Sequence, residues 1–378
     1  HWKNSMTNPA KERKSPVRSS SDRSRIEVYL FACGHGDTIL VRLPDGRWVL
    51  VDCYLPKTGG VRSRFFDFVE EKQIQTLALV FQTHPDYDHF LGMHDVLSHF
   101  IESDGKSVGF YFDSGLTVQQ IRELLVQPKR PGQREYRRLQ QALRAWDKQG
   151  DLDWRELDAE RPSVSPKGSS GRIDFVPIGP DAKAKRRLTE ASIEAYAKNP
   201  NAKLEANELS LVVVLAVNDG NMKFNVLLAA DASSSGISRA LKVWRDHAQE
   251  RSTAAHFQAI KVPHHGSLKN HFTDLCRLGG DDAEAKVAAV SAGERDALPD
   301  REVLADFLDA GWTVVLTSYR TSRAVNRPGE LHLRSAAKAT FEENTIELGW
   351  NFEGGFSFGP PSAVLDREHL TAYQTAKA

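Results

Sequence analysis

The first patterned segment of the chain alternates short apolar runs with turns rich in glycine. The apolar runs are residues 26–32, 38–43 and 48–51, and the third ends at Asp52. Turns this short join neighbouring strands that run in opposite directions. The pattern therefore predicts an antiparallel meander, followed by a helix at about 62–72.

A second kind of apolar run, residues 77–82, lacks polar alternation and is typical of a strand covered on both faces. It leads into a polar cluster at 84–89, with a helix predicted from about 89 to 100. Later predicted strands are 209–217, 223–230, 259–262, 286–291 and 313–317, and later predicted helices are 238–246 and 301–310. The chain thus has two similar halves in outline, each a run of strands followed by strand–helix units.

Three regions differ from this pattern. Residues 1–25 carry seven Lys or Arg against Glu12 and Asp22 and little apolar surface, which predicts a flexible basic tail. Residues 26–360 are expected to form one domain, interrupted by a helical insertion at about 101–205, and residues 361–378 a C-terminal tail. Within the insertion, residues 116–149 hold eight Lys or Arg against three acids.

Composition excludes several classes of site and partner. Lys plus Arg equals Asp plus Glu, 50 each among 378 residues, so net charge gives no sign of a nucleic-acid or membrane partner. Cys33, Cys53 and Cys276 form no CxxC pair and are too few for a four-cysteine zinc site. No apolar run approaches the ~20 residues of a membrane-spanning helix. We therefore expect a cytoplasmic protein with reduced cysteines and no membrane contact.

The cluster His84-Pro85-Asp86-Tyr87-Asp88-His89 is the main chemical signal of the sequence. It places two imidazoles and two carboxylates directly after an apolar strand. Carboxylates at such a position need a compensating cation, and a pair of divalent metals provides one. The alternative is a capped helix, with Asp88 at the N-cap and His84 as an ordinary loop residue.

Other predicted strand ends carry matching residue types. Asp52 and Asp231 each end a strand, and His264 and His265 follow another. One aspartate at a strand end is usually a turn residue, whereas four such positions favour a single convergent site.

These segments together resemble the metallo-β-lactamase superfamily, and within it the ComEC-type hydrolase domain of DNA-uptake proteins. The matching segments are residues 34–42, 50–52, 83–89, 207–210, 228–231 and 261–267. The resemblance implies an α/β fold, a four-layer αββα sandwich with metals at the rim between two sheets. It implies one metal site near His84 and Asp86, and a second near Asp88, His89 and one of His264 and His265, with Asp231 bridging the two.

The same resemblance suggests further roles. Asp88 would orient the attacking water while ligating metal, and the histidine of the 264/265 pair that is not a ligand would protonate the leaving oxygen or hold a phosphate oxygen. Candidate substrate contacts are Asn207, Ser210, Ser267 and His35, and candidate supports for the ligands are Asp37 and Asp52. Asp86 stands where the superfamily commonly has histidine, and a harder, oxygen-rich site suits Mn2+ as well as Zn2+.

The leading functional hypothesis is a phosphodiesterase, specifically a nuclease that cuts DNA with a hydroxide bound by two metals. The basic insertion would follow the nucleic-acid backbone, and the insertion could also bind a protein partner. One alternative is hydrolysis of a small phosphodiester, such as a phosphorylcholine ester or a cyclic nucleotide. A second is a non-catalytic scaffold of the same fold, which metal analysis would distinguish.

Overall fold

Two β-sheets lie face to face in this computed structural model. The structure describes residues 25–57, 60–115, 131–166, 173–198, 206–219, 222–251, 255–280, 286–292, 298–317, 345–351, 355–358 and 364–365.

The first sheet combines an antiparallel and a parallel part. Its described strands are β1 (Arg25–Phe31), β2 (Thr38–Arg42), β3 (Trp48–Cys53), β4 (Thr76–Gln82), β5 (Ser107–Asp113), β6 (Asp153–Glu156), β13 (Thr345–Asn351) and β14 (Gly355–Phe358). They lie in the order β14-β13-β1-β2-β3-β4-β5-β6. β1 to β3 are antiparallel, as predicted, whereas β3 to β6 are parallel.

The second sheet repeats this arrangement. Its described strands are β7 (Ile173–Gly179), β8 (Val212–Asp219), β9 (Met222–Leu228), β10 (Ala259–Lys261), β11 (Val287–Val290), β12 (Thr313–Leu316) and β15 (Val364–Leu365). Their order is β15-β12-β11-β10-β9-β8-β7. β7 to β9 are antiparallel and β9 to β12 are parallel. The topology confirms the two similar halves predicted from the sequence.

Helices cover the outer faces of the sheets. The described helices are α1 (Val61–Glu71), α2 (Tyr87–Phe90), α3 (Met93–Ile101), α4 (Pro131–Gln149), α5 (Ala182–Lys198), α6 (Ser234–Glu250) and α7 (Arg301–Asp309). Short 3₁₀ turns occur at Ala206–Leu209, Pro263–Gly266, Leu268–Asn270 and Thr273–Leu278.

Side-chain alternation along the strands explains the layering. In β1, Val28 and Leu30 belong to the core between the sheets, while Phe31 points to the outer face and packs on Phe65 and Phe68 of α1. Burying each side chain of this size stabilises the fold by about 1.5–3 kcal/mol. A third core joins the second sheet to α6 and α7. The four layers confirm the predicted αββα sandwich.

The helix predicted from about 89 to 100 is instead two helices, α2 and α3. Gly92 separates them with φ of 116°, a conformation that glycine adopts at little cost. A Cβ at Gly92 would lie 2.7 Å from the Leu55 side chain, so this close approach also requires glycine.

The segment predicted as a helical insertion, at about 101–205, contains more than helices. β5 and β6 extend the first sheet, and β7 forms an edge of the second. Similarly, β15 lies within the predicted tail 361–378 and pairs with β12. Residues 1–24 of the predicted basic tail and residues 366–378 lie outside the described residues.

The three cysteines are buried and make no disulfide, in agreement with the sequence expectation. Within the described ranges, no helix combines the length and the apolar character needed to cross a bilayer.

Candidate functional site

The polar strand ends of both halves meet at one rim of the sandwich. Asp52 is the next-to-last residue of β3, and His84 follows β4. In the second half, Asp231 follows β9 and His265 follows β10. Nε2 of His89 lies 3.3 Å from Oδ2 of Asp231, and Nε2 of His265 lies 3.4 Å from its Oδ1. Residues from the two halves, far apart in sequence, thus contact one central carboxylate.

The backbone at this rim adopts costly conformations. Asp52, Ala230, His264 and His265 have φ values of 55°, 48°, 47° and 54°. Such left-handed conformations cost of order 1–3 kcal/mol for residues other than glycine, and they tend to occur at functional sites. Four such residues at one rim indicate that the positions of their side chains are maintained despite the cost in backbone strain.

A hydrogen-bonded chain supports the histidines of the first half. Asp52 accepts from Thr83 N at 2.7 Å and from Thr83 Oγ1 at 2.6 Å, and its Oδ2 lies 2.7 Å from Nδ1 of His89. Because the Thr83 hydroxyl donates to Asp52, it can accept from Nδ1 of His84, 3.0 Å away. Both imidazoles therefore carry their proton on Nδ1 and present Nε2 to the site.

Four side chains form one group of potential metal ligands. One atom each from Asp88, His89, Asp231 and His265 lies within 4.8 Å of the others. Nε2 of His265 is 3.9 Å from Oδ2 of Asp88. Two nitrogens and two carboxylate oxygens at this spacing suit a divalent cation.

A second group of potential ligands also includes an oxygen of Asp231. Nε2 of His84 is 4.0 Å from Oδ2 of Asp86 and 4.0 Å from Oδ2 of Asp231. The His84 and His89 rings are adjacent, with centroids 4.0 Å apart. The Asp86 side chain is 50% exposed, so this group opens towards solvent.

Several buried atoms at the centre make no hydrogen bond within the described residues. They are Nε2 of His84, His89 and His265, and Oδ1 of Asp231. Leaving such an atom unsatisfied costs about 1–3 kcal/mol. Divalent cations would accept these converging lone pairs, so the residues fit a metal centre.

The protonation states of His84 and Asp231 agree with this fit. At His89 and His265 burial would lower the pKa, but Asp231 raises it above its usual value, so a cation would displace a proton from each ring. Burial holds the pKa of His84 well below its usual value, which keeps the ring neutral. Burial alone would raise the pKa of Asp231, but His265 and His89 lower it well below its usual value. Neutral imidazole and ionised carboxylate are the forms that bind metals.

Lys261 is a member of the site that the sequence did not reveal as one. Its buried Nζ contacts Asp37, lies 3.6 Å from Oδ1 of Asp231 and donates to the Ala230 carbonyl at 3.1 Å. Burial would lower the pKa of Lys261, but Asp37 and Asp231 raise it, so the ammonium persists. In the sequence, the sign of a buried lysine is its position inside the apolar run 259–262.

Asp37 faces the second half rather than only its own turn. Besides Lys261, its carboxylate accepts from the Ser291 hydroxyl, and Oδ1 lies 3.8 Å from Nδ1 of His265. Ser291 is a further contact that the sequence did not indicate. Asp37 and Asp52 thus lie behind His265 and His89 respectively.

His264 and His265 occupy different environments despite being adjacent. His265 is buried in the four-residue group, whereas the His264 side chain is 27% exposed, with Nε2 3.9 Å from Oδ2 of Asp231. Asn207 Nδ2 lies 3.3 Å from Nδ1 of His264, and Asn270 contacts the same nitrogen. Partial burial lowers the pKa of His264, which favours the neutral ring.

The predicted substrate contacts lie around this rim. Asn207 touches His264, and the Ser267 backbone N–H donates to the His264 carbonyl at 3.0 Å. The buried Ser210 hydroxyl makes no hydrogen bond within the part of the chain described. The His35 ring packs on Tyr54 with centroids 4.9 Å apart. Their roles towards a substrate stay predictions.

Residues 32–141 match the family model of the Metallo-beta-lactamase superfamily. The matched stretch includes Asp37, Asp52 and the 84–89 cluster, and it supports the superfamily resemblance drawn from the sequence. Comparison with curated proteins gave no match. The ComEC-type branch stays a prediction.

Three solved structures with similar folds were compared. A diphosphatase from the PhnP family is 13% identical, with a TM-score of 0.36, covering 73% of this chain and 90% of its own. MEM-A1, a subclass B3 metallo-beta-lactamase from a soil metagenome library, is 12% identical, with a TM-score of 0.31 and coverages of 66% and 79%. A possible metal-dependent hydrolase from Veillonella parvula DSM 2008 is 12% identical, with a TM-score of 0.33 and coverages of 78% and 84%. Similarities this low do not bear on activity.

Proposed function

We propose that this chain is a metal-dependent hydrolase of the metallo-beta-lactamase superfamily that cuts phosphodiester bonds, with DNA as its substrate. The observation that carries the proposal is the set of buried ligand atoms, without hydrogen bonds in the described residues, that converge on Asp231. The carboxylates Asp88 and Asp231 beside neutral or carboxylate-paired imidazoles form a donor set for hard or borderline divalent cations.

Two cations, Mn2+ or Zn2+, would be held on either side of Asp231. One set of further ligands is Asp88, His89 and His265, and the other is His84 and Asp86. When bound, such cations activate water at neutral pH and offset charge on phosphate oxygens. Asp52 bonds Nδ1 of His89 and Thr83 bonds Nδ1 of His84, which leaves Nε2 of both rings available as a metal ligand.

His264 is assigned as the hydrogen-bond donor to the leaving oxygen, and His265 as the ligand. With Asn207 Nδ2 donating to Nδ1 of His264, the proton of the neutral ring lies on Nε2. That nitrogen faces the rim, 3.9 Å from Asp231 Oδ2. Its N–H can donate a hydrogen bond to the oxygen that departs from phosphorus and stabilise the charge developing there, and that oxygen takes its proton from water.

A nuclease is favoured over a hydrolase of small phosphodiesters by the charge beside the site. Helix α4 contacts α2, which carries Asp88 and His89. Arg134, Arg137 and Arg144 of α4 are exposed. Positively charged side chains outside the ligand cluster can bind further phosphates only if the substrate has more than one. The protein partner predicted for the 101–205 segment stays a prediction.

The test is hydrolysis of labelled single- and double-stranded DNA, RNA and bis-p-nitrophenyl phosphate with Mn2+ or Zn2+. We expect cleavage that chelation abolishes and metal restores. Asp88→Ala should reduce kcat/KM by about 10³-fold or more, because metal-assisted hydrolysis depends on charge stabilisation worth several kcal/mol. Asp246→Ala, an exposed carboxylate on α6, is the matched control.

Variants of the two adjacent histidines separate metal binding from stabilisation of the leaving oxygen. His265→Gln should lower the bound metal per chain, whereas His264→Gln should keep the metal and lower kcat by about 10²-fold. If no phosphodiester is cut under any metal, or if Asp88→Ala cuts as well as the unaltered protein, the proposal is wrong. Less than half a metal per chain would favour the non-catalytic scaffold.

A further inference from the structure

The outward face of α4 carries a row of positively charged side chains. Its exposed members are Arg134, Arg137, Arg144 and Lys148, which we call the α4 stripe. At 3.6 residues per turn these positions fall within about 80° of the helix circumference. The opposite face, with Leu139, Leu143 and Trp146, is buried in the core, so the stripe points to solvent.

The α4 stripe is not neutralised by neighbouring carboxylates. Arg138, beside it, pairs with Asp95 at 3.5 Å and Glu135 at 3.9 Å. No described carboxylate forms an ion pair with any of the four stripe residues. A solvated helix face in a chain of zero net charge ordinarily mixes both signs. A one-sign row instead suits an anionic partner.

The stripe begins beside the candidate metal centre. A Cβ on Gly132, in the first turn of α4, would lie 2.8 Å from the ring of Tyr87. Tyr87 stands between Asp86 and Asp88 in sequence. One turn further along α4, the Tyr136 ring packs on Phe90 with centroids 4.9 Å apart. The metal-ligand segment and the start of the stripe are thus one packed unit.

Tyr87 offers a surface of a different kind at this junction. It is 37% exposed, one of two exposed large hydrophobic side chains among the described residues. Its ring is held by Tyr54 and Phe90, with centroids 6.3 and 6.0 Å away. A supported, exposed ring is what an unpaired nucleobase stacks on, whereas bases inside a duplex are already stacked.

The dimensions of the stripe suit a polymer. Arg134 and Lys148 are separated by ~21 Å along the helix axis, and a duplex strand carries one phosphate per ~3.4 Å. A small phosphodiester bound at the ligand cluster would leave the far end of the stripe uncontacted.

We propose that single-stranded nucleic acid leaves the metal centre across Tyr87, on which one base stacks, and runs along the α4 stripe. This inference rests on the proposed phosphodiesterase function and specifies its substrate. The four cations bind phosphates along the strand, and Tyr87 selects strands whose bases are unpaired.

The main variant is Arg137→Gln/Arg144→Gln. A matched control is Lys242→Gln/Arg245→Gln, which removes two exposed cations from α6 on the other sheet. Binding of a labelled oligothymidylate of about 20 nucleotides is followed by anisotropy in EDTA over a range of salt. Each lost phosphate contact should reduce the slope of log K against log salt by about 0.7, so the α4 variant should lose about 1.4 and the control none.

Cleavage with Mn2+ gives an independent readout. The ratio of kcat/KM for the long strand to that for bis-p-nitrophenyl phosphate should fall about tenfold in the α4 variant. Tyr87→Ala should weaken binding of the single strand by about tenfold, while Tyr87→Phe retains it. An abasic strand of equal length should show no such dependence on residue 87.

An unchanged salt slope in the α4 variant, or an equal change in the α6 control, would overturn the inference. Duplex binding as tight as that of the single strand would overturn the role of Tyr87. If the unaltered protein cuts no phosphodiester, the proposed function fails, and the anisotropy result still decides whether the α4 stripe binds the strand.

Discussion

Two histidine–carboxylate pairs lie beside Asp231: His89 with Asp52, and His265 with Asp37. Different contacts hold the carboxylate of each pair in place. In the first half, Asp52 and Thr83 support His89 through hydrogen bonds of 2.6–2.7 Å. In the second half, Asp37 stands 3.8 Å from His265 and is engaged instead by Lys261 and Ser291. The first pair orients its ligand by direct contact, whereas the second is part of a buried ion pair.

This difference separates two effects that a carboxylate has at a metal centre. Asp52 and its partners come from β3, the loop after β4 and α2, so they act within one half. Asp37 comes from the first half and its partners Lys261 and Ser291 from the second. We infer that Asp52 acts mainly on metal affinity, and Asp37 mainly on the stability of the joined halves.

The largest expected effect is therefore on stability. Asp37→Asn leaves the buried Lys261 ammonium without its nearest anion, and breaking a buried pair costs about 3–5 kcal/mol. Urea unfolding of the metal-free protein at neutral pH measures this. The matched double variant Asp37→Asn/Lys261→Met should regain much of the loss, because it removes both charges. Losses that simply add would show that the two residues are not coupled.

The next effect is on metal affinity. Asp52→Asn removes the acceptor that fixes the tautomer of His89 and, through Thr83, that of His84. Loss of such a partner typically costs 10–100-fold in metal affinity. Competition with a chromogenic chelator measures it. Asp37→Asn serves as the comparison and should change the affinity less. The reverse order would mean that contact distance does not decide which carboxylate orients its histidine.

The local parts of this arrangement could be predicted from the sequence. Strands ending in Asp52, His84, Asp231 and His264 are visible as apolar runs followed by ligand-type residues, and the two halves follow from their order. The break at Gly92 was missed because the residues on either side keep helical periodicity.

The non-local parts could not be predicted. Ser291 and Asp37 are 254 positions apart, and no local pattern joins them. Lys261 looked like an ordinary polar residue in a short strand, because only the folded structure shows two carboxylates beside it. The choice between His264 and His265 depends on backbone angles at a kink.

The smallest expected effect compares the two hydroxyl groups. Thr83→Val and Ser291→Ala each remove one donor to a buried carboxylate, and each should lower stability by about 1 kcal/mol. Only Thr83 also accepts from His84, so only Thr83→Val should weaken metal binding, by about fivefold, with Thr83→Ser as the control that keeps the hydroxyl. Calorimetric titration with Mn2+ or Zn2+ measures the difference. Equal weakening of metal binding by both variants would mean that the Thr83 hydroxyl does not orient His84. The His89–Asp52 and His265–Asp37 pairs would then differ only in the distance between ring and carboxylate.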